Sequence, residues 1–240
     1  MANIFPKWTK MIPTVLAGGS FAFLVLIVAT VWYYMTPSYT RVGYQPTQPV
    51  AFSHQVHVGK LGMDCRYCHT HVEQSRHANI PSTATCMSCH TVVDELGGYL
   101  QQAVSRDGSS PSAHWRSEDL QIVRNAYADD KPIPWRRVHK VPDYAHFNHA
   151  VHVNAGVSCY SCHKRIDQMP VVFHAESMGM GWCLDCHRAP EKHLVEQEYI
   201  TDLAAVEEML ADRDHARTVG ARIAERLRMA PSQNCAACHY

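Results

Sequence analysis

The chain of 240 residues carries 10 cysteines and 17 histidines, the side chains with the most chemistry to offer, and their spacing is regular. All the cysteines fall into Cys-x-x-Cys pairs: Cys65/Cys68, Cys86/Cys89, Cys159/Cys162, Cys183/Cys186 and Cys235/Cys238. Each pair is followed at once by a histidine, namely His69, His90, His163, His187 and His239. Zinc ribbons, redox dithiols and structural disulfides also use paired cysteines, but none of them asks for that histidine. Cys-x-x-Cys-His is the attachment signature of a c-type haem: two thioethers hold the porphyrin edge and the next imidazole reaches the iron from the proximal side. The expectation is five covalent haem c groups, with those five histidines as proximal iron ligands.

A low-spin electron carrier needs a second axial ligand at every iron. Four histidines stand in a repeated phrase, Phe-x-His-x-x-His, which begins at Phe52 and again at Phe147. Imidazoles three residues apart share one helical turn, close enough to serve two neighbouring irons and too close to grip one from both faces. His54 and His57, with His149 and His152, are therefore candidate distal ligands. The pattern resembles the multihaem class III cytochromes c. That resemblance implies that His54 serves the Cys65/Cys68 haem and His149 the Cys159/Cys162 haem, while the partners of His57 and His152 stay open. His139, in WRRVHKVPDY, is the first candidate for a fifth distal ligand, with Met169, Met180 and His114 behind it. His71, His77, His174, His193 and His215 read as surface or propionate-bonding side chains.

The elements that must position these groups are short. About 200 residues outside the apolar N-terminus leave about 40 per haem, too few for five separate cores, so the haems themselves are expected to form the centre. The expected fold is mostly irregular with short α-helices, a class III-like multihaem cytochrome c packed around five haems, plus one N-terminal transmembrane helix. Helical periodicity is sustained from Thr201 to Met229, through Leu203, Val206, Met209, Leu210, Val219, Ile223 and Leu227, with Gly220 as a candidate interruption. It reads as a surface helix.

From Met11 to Met35 there is no charged side chain, a run long enough to cross about 30 Å of hydrocarbon. Lys7 and Lys10 favour a cytoplasmic N-terminus, and Trp32, Tyr33 and Tyr34 suit an interfacial aromatic belt. A cleaved signal peptide has a shorter apolar core, about 7–15 residues, with small residues after it, so the run reads as an uncleaved signal anchor with the haem domain on the periplasmic side. TPSYTRVGYQPTQPV, with three prolines, follows as an extended spacer.

The repeat runs past the ligands. Val72, Glu73 and Gln74 after one motif match Ile166, Asp167 and Gln168 after the other, and a further Cys-x-x-Cys-His follows in each copy. The chain divides into residues 1–10, a cytoplasmic N-terminus; 11–35, the anchor; 36–51, the spacer; 52–90, a first dihaem module; 91–146, a linker with a GSSPS turn; 147–187, a second dihaem module; and 188–240, a tail with a helix and the fifth haem.

CRYCHTHVEQS, IPSTATCMSCH, PIPWRRVHKVPDYAHFNHAVHVNAGVSCYSCH and MGMGWCLDCHRAPE resemble the membrane-anchored pentahaem cytochrome c subunit of bacterial alternative complex III, a quinol:electron-acceptor oxidoreductase. The resemblance runs from the anchor to about Glu191. It implies a chain without catalysis of its own, relaying electrons from a quinol-oxidising membrane complex to a periplasmic or membrane acceptor. Implied partners are integral membrane and iron–sulfur subunits and a mono-haem cytochrome c.

Other classes fit less well. There is no Ser-His-Asp arrangement, no phosphate loop, and no haem motif in which lysine replaces histidine. A multihaem reductase of small oxyanions needs a five-coordinate haem. A NapC-type quinol dehydrogenase sits poorly with a count of five and a first haem far from the anchor, and a reaction-centre cytochrome with the lack of a methionine-bearing helix ahead of each motif. Lysine plus arginine balances aspartate plus glutamate, 22 to 22, which argues against a nucleic-acid partner. Haem propionates add negative charge, for which Arg136, Arg137, Lys140, Arg165 and Arg188 are candidate partners.

Overall fold

The computed structural model describes residues 6–36, 40–90, 118–212 and 214–240; His114 and the GSSPS turn lie outside the described residues. The chain parts into two units, one up to Val42 and one from Gly43 to Tyr240.

The first unit is built on α1, Ile12–Met35, entered through a 3₁₀ turn at Lys7–Met11 with Pro13 in the opening turn, where a missing N–H costs nothing. Thr30 donates its hydroxyl to the Leu26 carbonyl at 2.7 Å, which lets it sit among apolar neighbours. The 24 residues of α1 make a rod of about 36 Å at about 1.5 Å per residue. Its most apolar window of 18 residues has a mean hydropathy of 2.3, and the helix is long and apolar enough to cross a membrane.

The second unit is made of short helices: α2 (Cys65–Cys68), α3 (Thr83–His90), α4 (Glu118–Ala128), α5 (His149–Asn154), α6 (Cys159–His163), α7 (Met180–Arg188), α8 (Leu203–Ala211) and α9 (Ala221–Arg226). Among the described residues there is no strand, only an isolated antiparallel bridge between Val157 and Leu194. Three of the cysteine motifs begin with a side-chain cap on the residue just before the first cysteine. Asp64 accepts from the Arg66 N–H at 2.8 Å, Ser158 from Tyr160 at 3.2 Å and Asn234 from Ala236 at 2.9 Å. Asp, Ser and Asn are the residues that satisfy the orphan donors of a first turn.

The ligand turns of the two copies differ by one insertion. Between the last histidine and the first cysteine the first copy has one more residue, Lys60, than the second. The second copy forms the regular α5, whereas the first winds Gln55–Lys60 as a π-helical turn, the conformation that absorbs a single inserted residue. Both copies then turn on a left-handed glycine, Gly62 at φ 68° and Gly156 at φ 94°.

The two copies dock reciprocally, in an approximately two-fold arrangement. The Gln55 N–H donates to the Met169 carbonyl at 3.2 Å, and in the equivalent place Ala150 donates to Ser75 at 3.1 Å. Gly59 lies so close to the Asp167 carbonyl that a Cβ would strike it. At the matching position the Asn154 side-chain amide donates to the Glu73 carbonyl at 2.9 Å. On the axis the side chains of Cys65 and Cys159 are neighbours.

Two apolar clusters supplement this frame. Val50, Met87, Val123 and Ile133 pack together, so α4, inside the span expected to be a linker, covers α3. Val195, Ile200 and Val206 of the tail pack with Val72 and Val153 of the two repeats. The three largest fully buried side chains, Leu194, Ile200 and Ile223, belong to this tail, so it is more than a surface helix. Its periodic stretch breaks at Asp212, which leaves α8 in extended backbone, rather than at Gly220. Gly220 closes a π-helical turn and lies against the Glu191 carbonyl, where a Cβ would collide. His215, expected at the surface, is buried here and donates Nε2–H to the Leu194 carbonyl at 2.8 Å.

Candidate haem sites

All ten cysteines are free, and among the described residues no group of three or more His, Cys, Asp or Glu side chains converges as a metal cluster. The histidines instead come in facing pairs. Taking about 2.0–2.1 Å for a first-row metal–imidazole bond, and a ring centre about 1.1 Å behind each nitrogen, an iron between two axial imidazoles sets their ring centroids roughly 6.3 Å apart. His54 faces His69 at 6.4 Å with the planes 3° apart. His57 faces His90 at 6.3 Å and 59°, and His152 faces His187 at 6.1 Å and 41°. The three separations fit a metal held from both sides.

The hydrogen bonds leave the correct nitrogen free. Nδ1–H donates to a backbone carbonyl from His57 to Ser53 at 2.9 Å, from His69 to Asn79 at 2.7 Å and from His152 to Asn148 at 2.7 Å. It does so again from His149 to Arg76 at 3.0 Å, His187 to Ser232 at 2.7 Å and His239 to Tyr144 at 2.9 Å. A carbonyl only accepts, so Nδ1 carries the proton and Nε2 keeps its lone pair, the arrangement of a metal-ligating imidazole. Burial first, then His69, holds His54 down at about 4, and burial lowers His149 and His152 as well. All three are thus kept in the neutral form that binds metal.

The phenylalanine of the repeated phrase is the wedge between its two histidines. Phe52 stacks on His57 at 4.4 Å and meets His54 edge-on at 5.0 Å. Phe147 does the same in the second copy, stacked on His152 at 4.6 Å and edge-on to His149 at 4.8 Å.

The third site differs. His139 lies 4.3 Å from His163 at 86°, too near for an iron between the rings, with His139 Nε2 3.3 Å from His163 Nδ1. His139 also interacts with the Phe173 backbone. His139, expected as a distal ligand, lies at the Nδ1 edge of His163, itself expected as a proximal ligand. Burial, then His174, holds it at about 4, and burial, then His139, keeps His163 well below the usual imidazole range. His149 is within electrostatic reach of His163. His174, expected at the surface, is 0% exposed and packs 5.4 Å from His139.

At the fifth site the ring nearest His239 is Tyr144, at 5.7 Å and 30°. His146 has both nitrogens engaged, Nε2–H donating to the Tyr240 carbonyl at 2.6 Å and Nδ1 accepting from Arg76 at 3.1 Å. Met169 is buried beneath the first ligand turn, and Met180 is 69% exposed at the start of α7. His71 and His77 are exposed, and His193 is half-buried. Of the basic candidates, Arg165 is held by Asp167 and Glu207, both at 2.8 Å. Arg188 reaches Asp185 at 3.4 Å, Lys140 reaches Asp143 at 3.5 Å, and Arg137 donates to the His139 carbonyl at 3.1 Å. Arg136 exchanges backbone hydrogen bonds with the Gln48 side chain.

A frame of short capped helices, without strands among the described residues and carrying Cys-x-x-Cys-His beside paired imidazoles, defines a multihaem c-type cytochrome. Residues 50–106 match the family described as cytochrome c7 and related cytochrome c. Over 201 residues the chain is 31% identical to the menaquinone reductase multiheme cytochrome c subunit of Nitratidesulfovibrio vulgaris strain Hildenborough, covering 74% of this chain and 84% of that one. The chain belongs to the multihaem cytochromes c, proteins of electron transport.

Proposed function

We propose that this chain carries five haem c groups and relays electrons from a quinol-oxidising membrane complex to a periplasmic or membrane-bound acceptor, as the anchored pentahaem subunit of an assembly of the alternative complex III kind. The observation that carries the reading is the set of facing imidazoles at 6.1–6.4 Å, each pair joining a proximal histidine to a member of the repeated phrase. Haem c, when bound, supplies a reversible one-electron iron couple. The protein's part is to hold the porphyrin by two sulfurs and fill both axial positions, so that no open coordination site invites other chemistry. On this reading His54, His57 and His152 are the distal partners of His69, His90 and His187, His149 serves His163, and His139 accepts the hydrogen bond from His163. The relative's printed name supports a quinone-linked membrane partner, although there the quinone is reduced; the direction from quinol to acceptor proposed for this chain follows its resemblance to the alternative complex III subunit. The anchor is α1, uncleaved and with its N-terminus in the cytoplasm.

A multihaem reductase is the second reading. One observation favours it: among the described residues His239 faces a tyrosine ring rather than an imidazole. Intact mass with haem staining, followed by electron paramagnetic resonance and carbon monoxide binding on the reduced protein, tests both. Five haem masses on a chain with low-spin iron throughout are expected. A high-spin haem that binds nitrite, or a mature N-terminus near Thr36, contradicts the relay or the anchor respectively.

A further inference from the structure

Chain order places the second haem motif between the first and the third. The fold does not. We propose that the five sites are wired in the order second, first, third, fourth, fifth, with the two halves joined where Cys65 of the first site meets Cys159 of the third. The proposal rests on the five-haem reading and specifies its route.

Each link has its own geometry. The first and second sites share the ligand turn bearing His54 and His57, which face His69 and His90. The residues inside the two cysteine pairs also touch, Tyr67 Oη lying 3.1 Å from Ser88 Oγ. The first and third sites meet at the two-fold axis, framed by the matched hydrogen bonds of Gln55 with Met169 and Ala150 with Ser75. By the same symmetry the third and fourth sites share α5, with His149 and His152 one turn apart. The fourth and fifth are tied by His187, whose Nδ1–H reaches the Ser232 carbonyl just ahead of Cys235. The cysteines neighbour one another along the same path, Cys68 with Cys86 and Cys89, Cys162 with Cys186 and Cys183, and Cys183 with Cys238.

The second and fifth sites are then the ends of the relay. Each hop moves one electron, oxidising one site and reducing its neighbour, with no bond made or broken. A quinol releases two electrons and two protons at its own site, and a one-electron acceptor removes the electrons singly.

Neighbour counting tests the order. Haem is removed from one site at a time by changing both cysteines to serine, for example Cys86→Ser with Cys89→Ser, and the rest are followed by redox titration with paramagnetic resonance. Adjacent charged centres shift each other's potentials, so losing a terminal haem should move one midpoint and losing an interior haem two. We expect one shift for the second and fifth sites, and two for the first, third and fourth. One shift for the first site and two for the second, the chain-order result, overturns the proposal. Because a haem-deleted variant can misfold, a density map of the fully loaded wild type gives an independent answer. The first site's porphyrin should neighbour those of the second and third, and a map with the second beside the third overturns the order. Fewer than five haems in the wild-type mass overturns the five-haem reading itself; five haems with other neighbours overturns the order alone.

Discussion

Phe52 offers a sharp test of how the repeated phrase works. Changing Phe52→Ala removes a face-to-face contact with His57 at 4.4 Å and an edge-on contact with His54 at 5.0 Å. Aromatic pairs of this kind contribute about 0.5–1.5 kcal/mol each, so the two together support the ligand turn by roughly 2 kcal/mol. At about 1.4 kcal/mol per factor of ten, the fraction of molecules with His57 out of its axial position should rise roughly thirtyfold. The hydrogen bond from His57 Nδ1 to the Ser53 carbonyl remains and limits the damage to orientation. Carbon monoxide uptake by the reduced protein and the high-spin resonance both report it. We expect a new carbon monoxide-binding fraction confined to the second site, restored to the wild-type level in Phe52→Tyr, and a matching effect at the fourth site in Phe147→Ala. An unchanged spectrum and unchanged uptake in Phe52→Ala would show that the backbone alone aims these histidines, and the wedge argument would fall.

Gly59→Ala drives a Cβ into the Asp167 carbonyl, a backbone group that cannot swing aside, and should cost about 1–3 kcal/mol. Asn154→Ala loses a single hydrogen bond to Glu73 and should cost about 0.5–1.5 kcal/mol. Denaturant titration in which the asparagine change proves the costlier would refute the close approach. Asp64 is held at about 2, chiefly by the hydrogen bond from the Arg66 side chain. A lowered folded-state value contributes stability that is present above the unfolded value near about 4 and lost as pH falls towards about 2. Asp64→Asn should flatten that part of the acid-stability curve, and superimposable curves would contradict it.

Candidate attachment residues are readable in the sequence because the chemistry is local: cysteine, two residues, cysteine, histidine. The facing imidazole pairs are half-legible, since the three-residue step marks His54 and His57 as neighbours but leaves open which histidine the second one faces. That answer depends on where α3 and α7 bring His90 and His187. His139 shows the limit. Its ring could be picked out as close to the chemistry, but whether it meets His163 across a metal or at the Nδ1 edge depends on packing against Phe173 and His174. The buried tail was concealed for another reason. The periodicity of Leu203, Val206 and Ile223 is the same whether the face meets solvent-side loops or, as here, the Val72 and Val153 of two repeats far away in sequence. Gly59 was silent because close backbone approach is a tertiary fact.

Two identical chains meeting about a two-fold axis make an isologous interface, in which each contact from i to j is answered by one from j to i. Gln55 on Met169 and Ala150 on Ser75 are such a pair. The haem-bearing unit therefore has the contact geometry of a homodimer written into one polypeptide. A true homodimer would be indifferent to direction, because its ends are the same. Fusion lets the halves differ, and they do. The first half carries the Lys60 insertion and the cover of α4 over α3, while the second leans on the buried tail and the Ser232 carbonyl. Distinct ends are what allow a symmetric core to be approached by one partner from one side and a different partner from the other.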